Sequence, residues 1–397
     1  MKKSLFTLQF ILLCLSGSLF FSSFNMLIPE LPGYLASMGG EKYIGYLIAL
    51  FTVTAGISRP FSGKLADTIG RVPVMLVGAF VCVICGFLYP LVNSVLALLA
   101  LRLLHGFSTG FKPTGTAAYV ADIVPHDRRG EAMGVLGFFS SIGIALGPLL
   151  GSLITQHWGM QAMFYTSSGF AFLSVFILFH MKETLPGKHR FRPGLLRINR
   201  YDIYTHHVLP AAIVMLFSVY GFGVILTITP DLSEHLHVSN KGLFFSYFTL
   251  SSLFVRVFMG KMSDRLGREP VILFNIVATM LSFIFIAFAD TEFKFIAGAL
   301  LLGASVGGLT PAIFAWAIDL SDKNMLGRSM ATLYIALEIG IGVGAWLTGY
   351  IYAGQIGNVK YVFELAAIVT MGAFIYLLYY MITGKRVAVN EFAKREI

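Results

Sequence analysis

Apolar runs of about 20 residues, broken by short polar stretches, set the rhythm of this chain. Residues 73–92 read PVMLVGAFVCVICGFLYPLV and hold no charged side chain. As a helix, a run of that length crosses the roughly 30 Å of hydrocarbon in a bilayer. Strands of a membrane barrel would be about 10 residues long and would alternate polar with apolar, a pattern the chain lacks. The pattern predicts twelve spans, near 6–29, 43–62, 73–92, 95–121, 131–156, 160–181, 206–231, 242–262, 271–289, 294–318, 327–352 and 359–382. The fold class that follows is an all-α integral membrane protein, with short loops, one longer connector and no room for a domain outside the membrane.

Composition agrees. Only 12% of the 397 residues are charged and the mean hydropathy is +0.78, whereas a soluble domain carries roughly 25% charge. The opening segment, MKKSLFTLQFILLCLSGSLFFSSF, exceeds the apolar core of a signal peptide and is followed by no small-residue cleavage site, so it reads as the first span.

The net charge of +9 could suggest nucleic acid, but its distribution argues against that partner. Of 29 Lys and Arg, 23 fall in the N-terminus, the even-numbered loops or the C-terminus, and only Lys42, Lys241, Lys294 and Lys360 lie at the other face. That bias places both termini in the cytoplasm of a multi-pass protein of the cell membrane. Cys14, Cys82 and Cys85 lie within spans, and the CVIC at 82–85 lacks the soluble setting a redox motif needs. No metal site and no cofactor is expected. GFSTG at 106–110 fits a nucleophile elbow but sits mid-span, and no GxxxxGK[ST] phosphate loop exists, so neither an enzyme nor an ATP-driven pump is expected.

The chain is also an internal repeat. A shift of 197 residues aligns Arg59 through Leu76 with Arg256 through Leu273, with ten of 18 positions identical. The same register pairs Gly106 with Gly303, Gly110 with Gly307, Asp122 with Asp319, Gly143 with Gly340 and Gly147 with Gly344. Six spans per repeat insert both halves in one orientation, a transporter design with the substrate site between the halves. The predicted organisation is an N-terminal six-helix bundle over 1–181, a basic cytoplasmic linker over 182–205 containing Pro186 and Pro193, and a C-terminal bundle over 206–397 ending in a short tail. GKLADTIGR at 63–71 and its copy GKMSDRLGR at 260–268, set after spans 2 and 8 of this arrangement, resemble the signature loops of the major facilitator superfamily, and the resemblance covers the whole chain. It implies two pseudo-symmetric six-helix bundles that rock about a central cavity.

The repeated phrase has its own logic. Gly63 permits close helix approach, Asp67 and Arg71 face one another four residues apart, Gly70 permits the turn and Pro73 starts the next helix. The resemblance adds a cytoplasmic gate, built from Gly63, Asp67, Gly70, Arg71, Asp122 and Arg129 in the first half and from Gly260, Asp264, Gly267, Arg268 and Asp319 in the second. It implies a latch to the neighbouring bundle in the outward-open state.

Span 4 carries Arg102, His105, Thr109, Lys112 and Thr116 on one helical stripe, with Ala299, Leu302, Val306, Leu309 and Ile313 at the equivalent places in the second half. Lys112 lies about 15 Å from Asp122 by helix rise, and charges so deep need a polar cavity or a partner. Because the resemblance puts span 4 on the central cavity, Arg102, His105, Thr109 and Lys112 are the candidate substrate contacts; internal pairing with acidic groups is the other reading. Arg102 also resembles a span-4 arginine linked to proton transfer in the family's drug exporters. Glu338, near the middle of span 11, and Glu30 and Asp231, at the outer ends of spans 1 and 7, complete the proton-coupling candidates, and no acid lies in residues 8–28. Gly143, Gly147, Pro148 and Gly151 match the family's antiporter motif, although ordinary helix packing explains the glycines too.

The function expected is secondary active transport by alternating access. The leading form is a proton-coupled antiporter exporting small hydrophobic or amphipathic compounds, working as a monomer in the lipid bilayer. An organic-anion or metabolite importer or exchanger is the alternative, and a non-transporting membrane sensor stands behind both.

Overall fold

The structure is a computed structural model and describes residues 6–124, 129–185, 190–198, 205–321 and 326–393. Its long helices are α1 (Leu8–Asn25), α3 (Ile44–Thr68), α4 (Arg71–Leu88), α5 (Val95–Ile123), α6 (Arg129–Phe179), α7 (Leu209–His235), α8 (Leu243–Leu266), α9 (Arg268–Ala287), α10 (Glu292–Leu320), α11 (Leu326–Tyr352) and α12 (Val359–Ala393); α2 (Leu31–Ala36) is short. Among the described residues there is no strand. α6 holds two spans joined at Gly159, whose φ of 84° breaks the helix. Counting it twice, the helices supply all twelve spans. Among the described residues ten helices are long and apolar enough to cross a membrane, α6 counted once, and the apolar part of α8, Leu243–Arg256, is shorter.

Span ends follow local chemistry. Ser94 and Thr291 cap α5 and α10 by accepting the N–H of Ala97 and Lys294, respectively. The expected first span, 6–29, is shorter in the structure, because residues 26–30, with Pro29 among them, form a turn and Pro32 lies in the first turn of α2.

Helices α1 and α3–α6 pack as one bundle and α7–α12 as a second, joined along two seams, α3 against α11 and α6 against α8. With an even number of spans, both chain ends lie at one face, here the terminal face. At the opposite face the halves share one apolar core, in which Leu31, Leu47, Tyr89 and Phe164 meet Val224, Phe244, Phe295 and Phe363. Toward the terminal face each half has its own core, around Phe10, Val72 and Val175 in the first and Val208, Ile272 and Leu377 in the second. The conformation is therefore closed at the opposite face, and among the described residues no buried cluster joins the halves at the terminal one.

Candidate functional site

The charged stripe of α5 is buried inside the first bundle. Arg102 is 2% exposed; its Nε–H donates to Leu47 O on α3 at 2.9 Å, and its guanidinium lies over the Phe51 ring. His105 touches the Tyr89 hydroxyl through Nδ1 at 3.1 Å and the Cys82 thiol through Nε2 at 3.2 Å. Lys112 donates to Ser16 O on α1 at 3.1 Å and lies over the Phe20 ring. Thr109 hydrogen-bonds within its own helix, to Gly106 O. A deep cation needs oxygen partners, and main-chain carbonyls of α3 and α1 supply them where acids were one expectation. Arg102 borders a small pocket between the halves, shared with Leu47 and Thr227.

The mid-membrane ion pair lies on a seam between the bundles. Arg59 Nη2, on α3, and Glu338 Oε1, on α11, are 2.7 Å apart, with side chains 8% and 9% exposed. The Arg59 guanidinium also stacks 4.3 Å from the Tyr334 ring centroid, while its Nε–H is buried with no hydrogen-bond partner. Glu338 lies on the wall of a cavity of about 660 Å³ between α3 and α11, otherwise lined almost wholly by apolar groups such as Val53, Ile57, Ile339 and Trp346. Those four side chains are between 44% and 61% exposed, so the cavity is open rather than enclosed. None of Arg102, His105, Thr109 and Lys112 lines it. The charge census had placed Arg59 among the loop cations, and the structure corrects that: Arg59 sits well inside α3, where the aligned Arg256 sits in α8. Its depth in the apolar run was the available signal.

At the terminal face the repeated phrase closes on its own half. Arg71 Nη1 is 2.7 Å from Asp67 Oδ1 and its Nε 3.1 Å from Asp122 Oδ2, and the guanidinium also reaches Ala66 O. Thr184 donates its hydroxyl to the same Asp122 oxygen. Gly70, at φ 129°, lies against Glu183, whose carboxylate accepts the backbone N–H of Arg71 and Val72. Glu183 thus caps the start of α4, a role the sequence reading missed because the residue lies in the connector, 112 positions from Arg71. In the second half Arg268 Nε meets Asp319 Oδ2 at 2.9 Å, and Gly267 repeats the turn at φ 92°. The side chains of Arg129 and Asp264, and position 260, lie outside the described residues. Gly63 has open space beside it. In this conformation Arg71 pairs with acids of its own half and α4 is capped from the connector, while Arg268 meets Asp319 of its own half.

Gly143, Gly147 and Gly151 bring α6 onto the carbonyls of Ser18 and Ser22 in α1 and of Met26 just past its end, where a Cβ would clash. Gly340 and Gly344 bring α11 onto Leu216 and Tyr220 of α7 in the same way. Pro148 and its counterpart Ala345 each receive a glycine of the facing half, Gly242 and Gly45. Both halves therefore use this spacing for close packing. Glu30 accepts the Ser152 hydroxyl at the opposite face, and Asp231 lies there beside Tyr352. The structure brings neither to Glu338. Among the described residues no cluster of His, Cys, Asp and Glu could hold a metal.

Sequence comparison agrees with this geometry. A profile of the Major Facilitator Superfamily matches the chain twice, over residues 13–210 and 211–396. A Lactococcus lactis protein named "Multi-drug resistance efflux pump PmrA homolog" is 28% identical over 352 residues, 84% of this chain and 85% of that protein. "Multidrug resistance protein MdtG" of Serratia proteamaculans is 28% identical over 326 residues, 77% of this chain and 78% of its own. Among solved structures, the human organic anion transporter MFSD10 (TETRAN) superposes with a TM-score of 0.73 at 19% identity, over 93% of this chain and 98% of that one. A D-xylose–proton symporter superposes with a TM-score of 0.74 at 15% identity, over 92% and 96%. With two matched six-helix halves and a buried ion pair between them, the chain belongs to the major facilitator superfamily and is a membrane transporter, not an enzyme.

Proposed function

We infer that the protein is a proton-coupled antiporter that exports small hydrophobic or amphipathic compounds across the cytoplasmic membrane, with both termini in the cytoplasm. One observation carries the transport cycle: the halves share an apolar core at the opposite face and have separate cores at the terminal face. Rocking the bundles would exchange which face is closed, the alternating access expected of two like-oriented repeats. Efflux as the direction draws on the relatives named as drug efflux pumps.

The residue roles follow. Glu338 is the proton site best placed for coupling, because it is the acid buried at the seam between the halves. Glu30 and Asp231 form a rim at the opposite face. Arg102, His105 and Lys112 shape the first bundle from within, and because their polar contacts are already spent on the protein, an anionic substrate finds less to bind than the bare stripe suggests. At the terminal face, the networks of Asp67, Arg71 and Asp122, and of Arg268 and Asp319, become the gate when the halves close there, with Arg129 and Asp264 as the further gate candidates of the sequence. Gly63, Gly70, Gly260 and Gly267 let the loops approach. Gly143, Gly147, Pro148 and Gly151 keep α6 tight on α1 through the cycle. The connector over 182–205 spans the halves, and a single chain encloses the pathway, so the monomer is the working unit.

The test is reconstitution into proteoliposomes with an imposed pH gradient and a lipophilic fluorescent dye. Dye should accumulate against its own gradient, and a protonophore should abolish the accumulation. Flux that ignores both the pH gradient and the protonophore would remove the coupling.

A further inference from the structure

We propose that the Arg59–Glu338 pair is a proton-released clasp on the α3–α11 seam, with Arg59 as the residue that positions Glu338 and makes its proton matter for the conformation. The proposal rests on the transporter reading above.

The seam is zipped from the opposite face inward. Gly45 lies against Ala345 and Gly349, Gly342 against Thr52, and Gly56 against Glu338. Arg59 and Glu338 follow at 2.7 Å, and one helical turn further Gly63 has no neighbour within 4 Å. The pair therefore stands where the closed part of the seam ends. α3 and α11 belong to different halves, so a change that parts this seam must pull the two charges apart.

The surroundings make the pair responsive to a proton. Among the described residues, Arg59 is the one charged group whose field bears on Glu338. The titratable neighbours are Tyr334 on α11, against the Arg59 guanidinium, Tyr46 on α3, in the same cavity, and Tyr220 on α7, beside Gly344. The α7 face against the seam otherwise brings Val219, Phe222, Leu226 and the neutral Thr227, and the connector brings Ile198. Separating a buried ion pair strands two charges in a poorly solvated place. The carboxylate can shed its charge by taking up a proton; the guanidinium cannot. With Glu338 charged, the empty carrier is held closed at the opposite face. A proton on Glu338 removes the attraction and lets α3 and α11 part, leaving Arg59 stacked on Tyr334.

The internal repeat supplies the control. Arg256 occupies the Arg59 position in the second half, and its Nε is likewise buried and unpaired. A shift of 197 puts Ser141 where Glu338 would be. Both seams keep an arginine, and one of them has acquired the acid.

The clasp can be tested by spin-label distances between cysteines placed at Lys42 and Gln355, both exposed at the opposite face, with the three native cysteines replaced by serine. The parent protein should show the short distance at alkaline pH, and acid should move the ratio of long to short by about tenfold or more, the scale of losing one buried pair. Glu338→Gln should give the long distance at both pH values. If Glu338→Gln does not fold, the Arg59→Gln/Glu338→Gln double variant, which strands no charge, should likewise lose the pH response. A variant that keeps the parent's acid-driven shift overturns the clasp and leaves the transporter reading intact. A Glu338-dependent distance change in a protein whose flux ignores the pH gradient would keep the clasp and remove proton-coupled transport.

Discussion

The two seams between the bundles share a shape and differ in chemistry. On one, Gly45 of α3 meets Ala345 of α11; on the other, Gly242, just before α8, meets Pro148 of α6, and each pair is the 197-residue copy of the other. Close approach is thus a property of the repeat, set by glycine in both copies, because a Cβ at either position would meet backbone. Charge is not. The α3–α11 seam holds Arg59 against Glu338, while on the α6–α8 seam Arg256 has no ion pair among the described residues and polar bonds such as Ser246 Oγ to Ala145 O do the joining. After duplication, backbone packing constrained both halves alike, and a single acid made one seam ionic.

The largest effect should come from Glu338→Ala with Arg59 kept. It strands a buried guanidinium and should lower stability by about 3–5 kcal/mol, read as thermal unfolding in detergent. Ser141→Ala at the matched position should cost about 1 kcal/mol or less. Equal losses would mean the seams do not differ in this way.

Next come the features the seams share. Gly45→Val and Gly242→Val should each cost about 1–3 kcal/mol by overpacking and should part the opposite face to a similar extent. The readout is thiol labelling of a cysteine replacing Leu31, which is 1% exposed in the shared core, with the native cysteines replaced by serine. Labelling that rises for one variant and not the other would show that the shape symmetry does not extend to energetics.

The loop networks should give smaller effects. Asp122 serves both Arg71 and Thr184, whereas Asp319 is more exposed and meets Arg268. Asp122→Asn should cost about 1 kcal/mol and Asp319→Asn about half of that, in line with solvated pairs. Smallest in stability is Asp67→Asn, since Asp67 is 73% exposed; about 0.5 kcal/mol or less is expected, with transport in proteoliposomes reduced several-fold. Unchanged transport would take Asp67 out of the gate.

Much of the fold was legible from the chain alone. The spans, the duplication and the turn glycines Gly70 and Gly267 are all visible as pattern, because each reflects a rule acting on neighbours in sequence. The site was legible in part. Asp67 and Arg71 pair as the repeated phrase suggested and Asp122 joins them as the family resemblance implied, and Glu338 was singled out by its depth. Arg59 and Glu183 were missed, because what matters about each is a partner far along the chain. The stripe of α5 was found, but its partners proved to be carbonyls of α1 and α3, and carbonyls carry no signature in a sequence.

A bilayer offers the backbone no water, so outside a closed barrel every crossing segment must be a helix long enough to span it, and that writes the twelve spans into the order of residues. Which buried charge faces which is another matter. Arg59 and Glu338 are 279 positions apart, and only the packing of α3 on α11 brings them within 2.7 Å. The face on which the halves close is likewise a property of the assembled bundles, since it depends on which apolar side chains of the two halves meet, and no span carries that information by itself.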